Sequence, residues 1–312
     1  MRALIFPGQG SQAVGMGSEF YNKFDLVKKI FRQADERLGY SITDIIFDGP
    51  EDKLQLTKNT QPAILTVSYS IFKVLKHEFG FNFNSFKYFA GHSLGEYSAL
   101  VCSEALNFED AIYLLHERGK AMQKAVPLGE GGMIAILGLS ISELNDLLVK
   151  NTSNDICEIA NDNANGQIIV SGDKEGINKF SNILKEKKIK FVPLKVSAPF
   201  HCSLMKPAAL SMKEKILNTE FNQPNYKIIN NVTAREEKDI EIIKNLLIDQ
   251  IFSTVRWRET LLNIFSKGVE KFIEIGPGKA LTGMVKRTIK DANCFSINSI
   301  TDIKNLINEF KK

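Results

Sequence analysis

The stretch Lys87-Tyr88-Phe89-Ala90-Gly91-His92-Ser93-Leu94-Gly95 decides the fold. Residues 87–90 are predicted to form a short buried strand, and residues 96–106 a helix. The five residues between them match G-x-S-x-G, a sharp turn that exposes its serine at the top of a sheet. A strand, a tight glycine turn and a helix in this order are typical of an α/β fold.

Other segments continue this α/β pattern on both sides of the serine turn. Residues 2–6 are predicted to form a strand that ends at Pro7-Gly8-Gln9-Gly10, and residues 272–275 a strand that ends at Gly276-Pro277-Gly278-Lys279. A further strand is predicted at 226–230. Helices are predicted at 18–38, from Thr60 to Gly80 with Pro62 in the first turn, at 239–252, and after Lys279, where one more helix and strand follow.

The middle of the chain has a different order of elements. It is predicted to contain strands at 133–137, 157–160, 167–170 and 190–196, helices at 142–150 and 174–186, and a turn-rich segment at 161–166. The order β-α-β-β-α-β is the signature of a ferredoxin-like unit. We therefore expect a small subdomain at 126–197, inserted into a large α/β subdomain formed by 1–125 and 198–312.

Composition excludes several classes of protein. The 312 residues carry 40 Lys and Arg against 36 Asp and Glu, a net charge of +4, and 44% are hydrophobic. No apolar run approaches the roughly 18 residues of a membrane span, and no basic run alternates with aromatic residues as in nucleic-acid binding. The mildly basic surface would help an acidic or phosphorylated partner to find the protein. We expect a protein that binds neither membranes nor nucleic acid.

The cysteines and the first residues bear on the cellular location. Four cysteines lie far apart without a C-x-x-C pair, which predicts neither a metal site nor a disulfide framework; they are Cys102, Cys157, Cys202 and Cys294. The start Met1-Arg2-Ala3-Leu4-Ile5-Phe6 has no charged region followed by an apolar export signal. We expect a cytoplasmic protein with reduced thiols and no metal.

Ser93 is the candidate nucleophile, and a serine needs a base to take its proton. Of the four histidines, His77 lies between charged residues on a predicted helix, and the His92 side chain should diverge from its neighbour Ser93. His201 follows a predicted strand and the segment Ala198-Pro199-Phe200, and it is the best candidate base. No carboxylate placed to orient this histidine is evident between Ser93 and His201, so a backbone carbonyl could take that role.

Arg118 interrupts the apolar face of a helix predicted to begin near Asn107. That face is formed by Ala111, Leu114, Leu115 and Met122. An inward charge needs a partner, because burying an unpaired charge costs several kcal/mol. Two explanations stay open at this point: a structural arginine, in an internal salt bridge or reaching the surface, and a bidentate clamp for a substrate carboxylate.

Two glycine-rich turns also have alternative explanations. The segment 8–13 fits G-x-G-x-x-A after a strand, a dinucleotide-binding pattern, but helix is predicted around 24–37, where the second strand should follow. The segment 276–279 lacks the spacing of a phosphate-binding loop. A structural turn from strand to helix explains it better.

Six motifs, in order along nearly the whole chain, resemble malonyl-CoA:acyl carrier protein transacylases of type II fatty acid synthesis. They are Phe6-Pro7-Gly8-Gln9-Gly10-Ser11-Gln12, Thr60-Gln61-Pro62-Ala63, Gly91-His92-Ser93-Leu94-Gly95-Glu96-Tyr97, Arg118-Gly119-Lys120-Ala121-Met122-Gln123, His201-Cys202-Ser203-Leu204-Met205-Lys206-Pro207 and Glu274-Ile275-Gly276-Pro277-Gly278. The resemblance implies an α/β-hydrolase-like large subdomain with an inserted ferredoxin-like one, in agreement with the element order. It also implies malonyl transfer from malonyl-CoA to acyl carrier protein.

The resemblance implies a role for each matching residue. Ser93 would be the acylated nucleophile and His201 its base, oriented by the main-chain carbonyl of Gln250. Backbone N–H groups of Gln9 and Leu94 would hold the oxyanion.

The resemblance also implies a role for Arg118 and the partners of the protein. Arg118 would hold the malonyl carboxylate, and no cofactor or metal would be needed. We expect a monomer whose partners are malonyl-CoA and acyl carrier protein. Lys195, Lys206 and Arg287 are candidate contacts for the carrier, although a solvated surface side chain is the simpler explanation for any single one.

One residue departs from the family, and three other function classes stay open. Phe200, just before the histidine, is bulky where other members carry different residues, and it would favour malonyl over branched acyl groups.

A serine esterase or thioesterase would share Ser93 and His201 but would have no use for an inward Arg118. A dinucleotide-binding protein would depend on the turn at 8–13 alone. A non-catalytic scaffold would have no need of an intact set of Ser93, His201 and Arg118.

Overall fold

The computed structural model describes residues 1–151 and 155–310, which form two β-sheets. The strands are β1 (Arg2–Phe6), β2 (Phe86–Gly91), β3 (Gly131–Leu137), β4 (Cys157–Ala164), β5 (Gln167–Asp173), β6 (Phe191–Pro193), β7 (Lys227–Ile229), β8 (Glu236–Glu237), β9 (Lys271–Ile275) and β10 (Asn293–Ile297). The larger sheet has the order β10-β9-β1-β2-β7-β8 and the smaller one β4-β5-β3-β6. The larger sheet is built from both ends of the chain, and the smaller one from its middle.

Helices cover the larger sheet and one face of the smaller one. They are α1 (Ser18–Lys23), α2 (Asp25–Leu38), α3 (Ile42–Phe47), α4 (Glu51–Gln55), α5 (Thr57–His77), α6 (Gly95–Cys102), α7 (Phe108–Ala125), α8 (Ile141–Asn151), α9 (Lys174–Glu186), α10 (Lys206–Leu217), α11 (Ile240–Gln250), α12 (Trp257–Ser266), α13 (Ala280–Thr288) and α14 (Ile300–Phe310). Within the described residues, none of these helices combines the length and the apolar character that crossing a membrane requires.

The larger sheet is parallel except at its edge strand β8. Alternate residues of β1 pack on opposite faces: Leu4 and Phe6 join one apolar cluster, and Ala3 and Ile5 join another. Burial on both faces is the normal state of a parallel sheet, because helices cover each side. The carboxyl ends of β1, β2 and β9 therefore meet at one edge, which carries the three glycine-rich turns of the sequence.

The smaller sheet is antiparallel throughout and has two different faces. One face packs Ile134 and Ile136 against α8 and α9. The opposite face presents Met133, Ala135 and Ile169 toward the larger sheet, where they line a cleft. We call residues 131–193, which contain the smaller sheet, the small unit, and the rest of the described chain the large unit. The small unit therefore forms one wall of this cleft.

Asn161 to Ala164 belong to strand β4, so the predicted turn-rich segment at 161–166 was wrong for its first four residues. These residues pair with β5, and Asn161 also pairs with Val255 in the large unit. Asn and Asp favour turns on their own, but here tertiary pairing and burial outweigh that preference. Only Asn165 and Gly166 form the turn.

Several predicted helix boundaries also differ from the structure. The predicted helix at 18–38 is two helices, because Phe24 is extended with φ −121° and ψ 119°. The helix after the serine turn ends at Cys102 instead of 106. The C-terminal helix α14 was not predicted at all.

Pro62 lies inside helix α5 and not in its first turn, because the helix begins at Thr57. A proline has no N–H for the carbonyl four residues before it, which here belongs to Lys58. Nδ1 of His116, on α7, lies 3.0 Å from that oxygen and serves as its donor. The neighbouring helix thus compensates for a residue that would otherwise weaken α5.

Gly119 lets α7 approach α5 closely, and this approach determines the position of Arg118. A Cβ at Gly119 would lie 2.5 Å from Cα of Lys58 and 2.6 Å from the Thr57 carbonyl oxygen. We expect Gly119→Ala to lower the free energy of unfolding by about 1–3 kcal/mol, as is typical of overpacking. Denaturant titration measures the change.

Gly283, on α13, is the matched control for this substitution. A Cβ there would meet no heavy atom within 4 Å. Gly283→Ala should stabilise the protein by about 0.5–1 kcal/mol, since alanine is the better helix former. Equal effects of the two substitutions would contradict the close approach of α7 to α5.

Candidate active site

Ser93 lies at the tip of the turn between β2 and α6, with a φ of 53°. A Cβ at Gly91 would lie 1.9 Å from the Gly95 carbonyl carbon, and one at Gly95 would lie 2.2 Å from the Phe6 carbonyl oxygen. A side chain at either position would clash with backbone atoms, so both residues must be glycine. The strained serine backbone and the close packing of β1, β2 and α6 are the features of a nucleophile elbow.

His201 lies beside Ser93, as the sequence predicted for its base. Its Nε2 is 2.8 Å from Ser93 Oγ, and its Nδ1 is 2.8 Å from the carbonyl oxygen of Gln250. A carbonyl can only accept, so Nδ1 carries the proton and the Nε2 lone pair faces the serine hydroxyl. The φ of His201 is 58°, so both members of the pair have left-handed backbone.

Burial and, to a smaller extent, the nearby charge of Arg118 lower the pKa of His201 to about 3. The hydrogen bond to the Gln250 carbonyl opposes this shift. The imidazole is therefore neutral near pH 7 and free to accept a proton. His92, in contrast, points away from Ser93, and its Nε2 lies 2.8 Å from Oδ1 of Asn163.

Arg118 is buried, with 1% of its surface exposed. Its side chain donates to Oε1 of Gln61 at 2.7 Å, to Oε1 of Gln250 at 2.8 Å and to Ser93 Oγ at 3.1 Å. All of these acceptors are neutral, and its Nε has no hydrogen-bond partner among the described residues. The structure thus shows neither the internal salt bridge nor the surface exposure that the structural explanation of Arg118 required.

Gln250 connects three parts of the site. Besides its carbonyl bond to His201, its side chain accepts from Arg118 and donates through Nε2 to the Ser93 carbonyl at 3.1 Å and to Oε2 of Glu96 at 2.7 Å. It lies at the end of α11, where the backbone carbonyl is free of helical bonds. Its side-chain role was missed in the sequence analysis.

Two further residues, Asn231 and Glu96, were missed as well. Asn231 accepts from the Ser93 backbone N–H at 2.7 Å and donates to the Gly91 carbonyl at 2.7 Å, so it holds both sides of the elbow. Oε2 of Glu96 accepts from the Asn231 backbone N–H at 3.0 Å. Its position two residues after the parallel strand β7 was a signal for Asn231. Glu96 looked like an ordinary helix residue and gave no signal.

Gln9 and Leu94 lie on two adjoining turns, after β1 and after β2, and both line the cleft. In the hydrogen-bond network of the described residues, neither backbone N–H has an acceptor. Two free N–H groups that line the same cleft as a serine nucleophile can receive an oxyanion. The turn at 8–13 is not followed directly by a helix, since α1 begins only at Ser18. This arrangement lacks the helix N-terminus that a dinucleotide pyrophosphate needs.

The cleft between the two sheets has a volume of about 680 Å³ and contains Ser93, Arg118 and His201. Phe200, which is buried, also lines it. Of the three candidate contacts for the carrier, Lys195 lines the cleft and Arg287 donates to Gln167 on the cleft wall. Lys206 is exposed and does not line the cleft.

The small unit is attached to the large one by buried polar contacts. Asp162 on β4 is paired with Arg258 on α12 at 2.9 Å, and Asn163 contacts His92. The four cysteines form no disulfide. In the part of the chain that the structure describes, no three His, Cys, Asp or Glu side chains are grouped so that they could hold a metal.

Comparison with known proteins shows the family of this chain. A family model described as acyl transferase domain matches residues 3–309. The malonyl CoA-acyl carrier protein transacylase of Bacillus subtilis (strain 168) is 41% identical over 312 residues, which cover 99% of this chain and 97% of the relative.

Solved structures of similar proteins share the fold. An acyl-carrier-protein-S-malonyltransferase from Bartonella henselae superposes with a TM-score of 0.96 at 39% identity, covering 100% of this chain and 99% of the other. A malonyl-transacylase in complex with its type II PKS acyl-carrier protein superposes with a TM-score of 0.95 at 38% identity, covering 99% of each chain. These superpositions confirm the predicted mixed α/β fold. The chain belongs to the acyl transferases and, among them, to the family of malonyl CoA-acyl carrier protein transacylases.

Proposed function

We propose that this protein transfers the malonyl group of malonyl-CoA to the phosphopantetheine thiol of acyl carrier protein, through a malonyl ester on Ser93, in fatty acid biosynthesis. One observation carries the proposal. A buried arginine without an acidic partner lies 3.1 Å from a serine hydroxyl that is 2.8 Å from a neutral histidine. An acyl group that carries its own carboxylate would supply the missing acidic partner. The malonyltransferases similar to this chain act on such a group.

In the first half-reaction, Ser93 Oγ attacks the thioester carbonyl and Nε2 of His201 takes the hydroxyl proton. The carbonyl oxygen becomes an oxyanion, which the N–H groups of Gln9 and Leu94 receive. The intermediate collapses by breaking the carbon–sulfur bond. The proton on Nε2 passes to the departing sulfur of coenzyme A.

The second half-reaction runs the same steps in reverse. The carrier-protein thiol gives its proton to His201 and attacks the malonyl ester, and Ser93 Oγ regains a proton as it leaves. One thioester is exchanged for another, so the net reaction needs no nucleotide, redox cofactor or metal. Water must be excluded from the ester, and the wall formed by the small unit supports that exclusion.

Arg118 would bind the malonyl carboxylate. Its guanidinium donates only to neutral groups, so a ligand carboxylate would not have to displace an ion pair. Arginine is well suited to this task because its planar donors match the two oxygens of a carboxylate. Phe200, buried on the cleft wall, would disfavour branched acyl groups.

We also propose the finer division of the fold. Residues 1–125 and 198–312 would form an α/β-hydrolase-like subdomain, supported by the strand–elbow–helix arrangement around Ser93. Residues 126–197 would form a ferredoxin-like insert, supported by the β-α-β-β-α-β order and the antiparallel sheet. The cytoplasmic location, the monomeric state and carrier contacts by Lys195, Lys206 and Arg287 stay predictions.

Intact-protein mass spectrometry after brief incubation with malonyl-CoA tests the proposed function. We expect a single malonyl adduct on the native protein and none on Ser93→Ala, because the ester forms on that hydroxyl. Addition of holo carrier protein should remove the adduct and produce malonyl carrier protein. Steady release of free malonate without a carrier would instead support the thioesterase alternative.

Arg118→Ala tests the carboxylate clamp. Charge-assisted hydrogen bonds contribute about 1.5–3 kcal/mol, so the ratio of malonyl to acetyl transfer should fall by about 10- to 150-fold. Transfer rates measured with malonyl-CoA and acetyl-CoA give this ratio. Arg32→Ala is the control, since Arg32 lies exposed on α2 and should leave the ratio unchanged. Equal loss of both transfers in Arg118→Ala would rule out the clamp.

A further inference from the structure

Glu96 is a buried carboxylate that the reaction steps above do not use. It lies on α6, one turn after the nucleophile, with 1% of its surface exposed. Its Oε2 accepts from the Asn231 backbone N–H and from Nε2 of Gln250. Both of these donors are neutral, and no Lys, Arg or His of the described chain forms an ion pair with it.

A single amide connects Glu96 to Arg118. The Nε2 of Gln250 donates to Glu96 at 2.7 Å, and the Oε1 of the same amide accepts from Arg118 at 2.8 Å. The carboxylate and the guanidinium therefore polarise one amide from its two ends. The two charges stabilise each other: the charge of Arg118 lowers the pKa of Glu96, and the charge of Glu96 raises the pKa of Arg118.

Resting on the proposed function, we propose that Glu96 tunes the site for acyl groups that carry a carboxylate. Above neutral pH, Glu96 is ionised while Arg118 has no ligand, and it takes up one proton from solvent when the malonyl carboxylate reaches Arg118. The acetyl group carries no charge, so its binding does not change the protonation of Glu96.

Electrostatic repulsion explains why Glu96 would take up a proton when the malonyl carboxylate binds. Two buried carboxylates would share one cation in the malonyl ester, and a like charge close by disfavours ionisation of the weaker acid. Burial raises the pKa of Glu96, and the hydrogen bonds from Asn231 and Gln250 and the charge of Arg118 oppose it, which leaves this pKa at about 7. Compensation of Arg118 by a ligand removes part of that lowering, so the pKa of Glu96 rises further.

The other groups around this cluster do not titrate in the same range. Burial raises the pKa of Tyr97, beside Glu96 on α6, to about 12, and it lowers the pKa of both His201 and His92. Helices α5 and α11 present the neutral amides of Gln61 and Gln250, and the segment after β7 presents Asn231. Helix α7 presents Arg118, and strands β1 and β2 contribute apolar residues such as Phe6 and Phe89.

The test is the equilibrium between each acyl-CoA and its acyl ester on Ser93, measured by intact mass from pH 6 to 8.5 with malonyl-CoA and, in parallel, acetyl-CoA. Ionisation of the coenzyme A thiol affects both equilibria equally and cancels in their ratio. Because the malonyl ester binds more protons, the ratio of malonyl to acetyl equilibrium constants should fall as the pH rises through 7. One linked proton limits the fall to about tenfold per pH unit.

Glu96→Gln keeps an oxygen that can accept both hydrogen bonds but removes the charge. In this variant the ratio should be independent of pH, and at pH 8.5 it should exceed that of the native protein. Glu274→Gln is the matched control: Glu274 is also buried and accepts from backbone N–H groups of α13. The control should keep the native slope.

A native ratio that stays constant from pH 6 to 8.5, or a slope that persists in Glu96→Gln, would overturn the role of Glu96. Absence of any malonyl adduct at every pH would overturn the proposed function instead. If Glu96→Gln does not fold, calorimetry of the native protein in two buffers of different ionisation enthalpy replaces it. Proton uptake with malonyl-CoA in excess of that with acetyl-CoA supports the proposal, and equal uptake contradicts it.

Discussion

The active site depends on a guanidinium that is buried without an acidic partner. Removing such a charge from water costs several kcal/mol, and a protein usually recovers this by placing a carboxylate against it. Here Arg118 is held by two glutamine side chains and a serine hydroxyl. Neutral amides fix its position without forming an ion pair with it. The site is therefore complementary to an anion that arrives with the substrate, and the rest of the architecture maintains this arrangement.

Two packing features hold the charge and the nucleophile together. The first is the close approach of α7 to α5 at Gly119, which brings Arg118 and Gln61 into contact. The second is the elbow, in which Ser93 has left-handed backbone and Asn231 bonds to the backbone on either side of it. Strained backbone at a reactive residue persists only where its surroundings specify it strongly. The carboxylate of Glu96 contributes to this by fixing the Asn231 backbone and the Gln250 amide.

Local patterns predicted the parts of the fold that depend on local chemistry. The G-x-S-x-G turn predicted the elbow, the break in an apolar helix face singled out Arg118, and the pattern of the middle segment predicted its β-α-β-β-α-β order of elements. The patterns failed where distant segments decide the outcome. Asn161 to Ala164 form a strand because β5 and the large unit pair with them, and Pro62 is accepted inside a helix because His116 supplies a donor.

The same distinction explains which site residues were missed. Ser93 and His201 carry recognisable chemistry, and a short glycine turn or a rigid loop marks each of them. Glu96 and Asn231 are separated by 135 positions along the chain, and their contact exists only after the large sheet has formed. The Gln250 side chain likewise meets Ser93 across 157 positions. No local pattern in one sequence predicts such a contact, because it forms only when the fold brings the two segments together.

The most direct measurement is a crystal structure of the protein after reaction with malonyl-CoA. The account predicts an ester on Ser93 Oγ, its carbonyl oxygen directed at the N–H groups of Gln9 and Leu94, and the malonyl carboxylate bound by the guanidinium of Arg118. A malonyl ester whose carboxylate points to solvent or to a lysine, with Arg118 still bound only to its glutamines, would contradict the central claim that the unpaired charge exists to receive it.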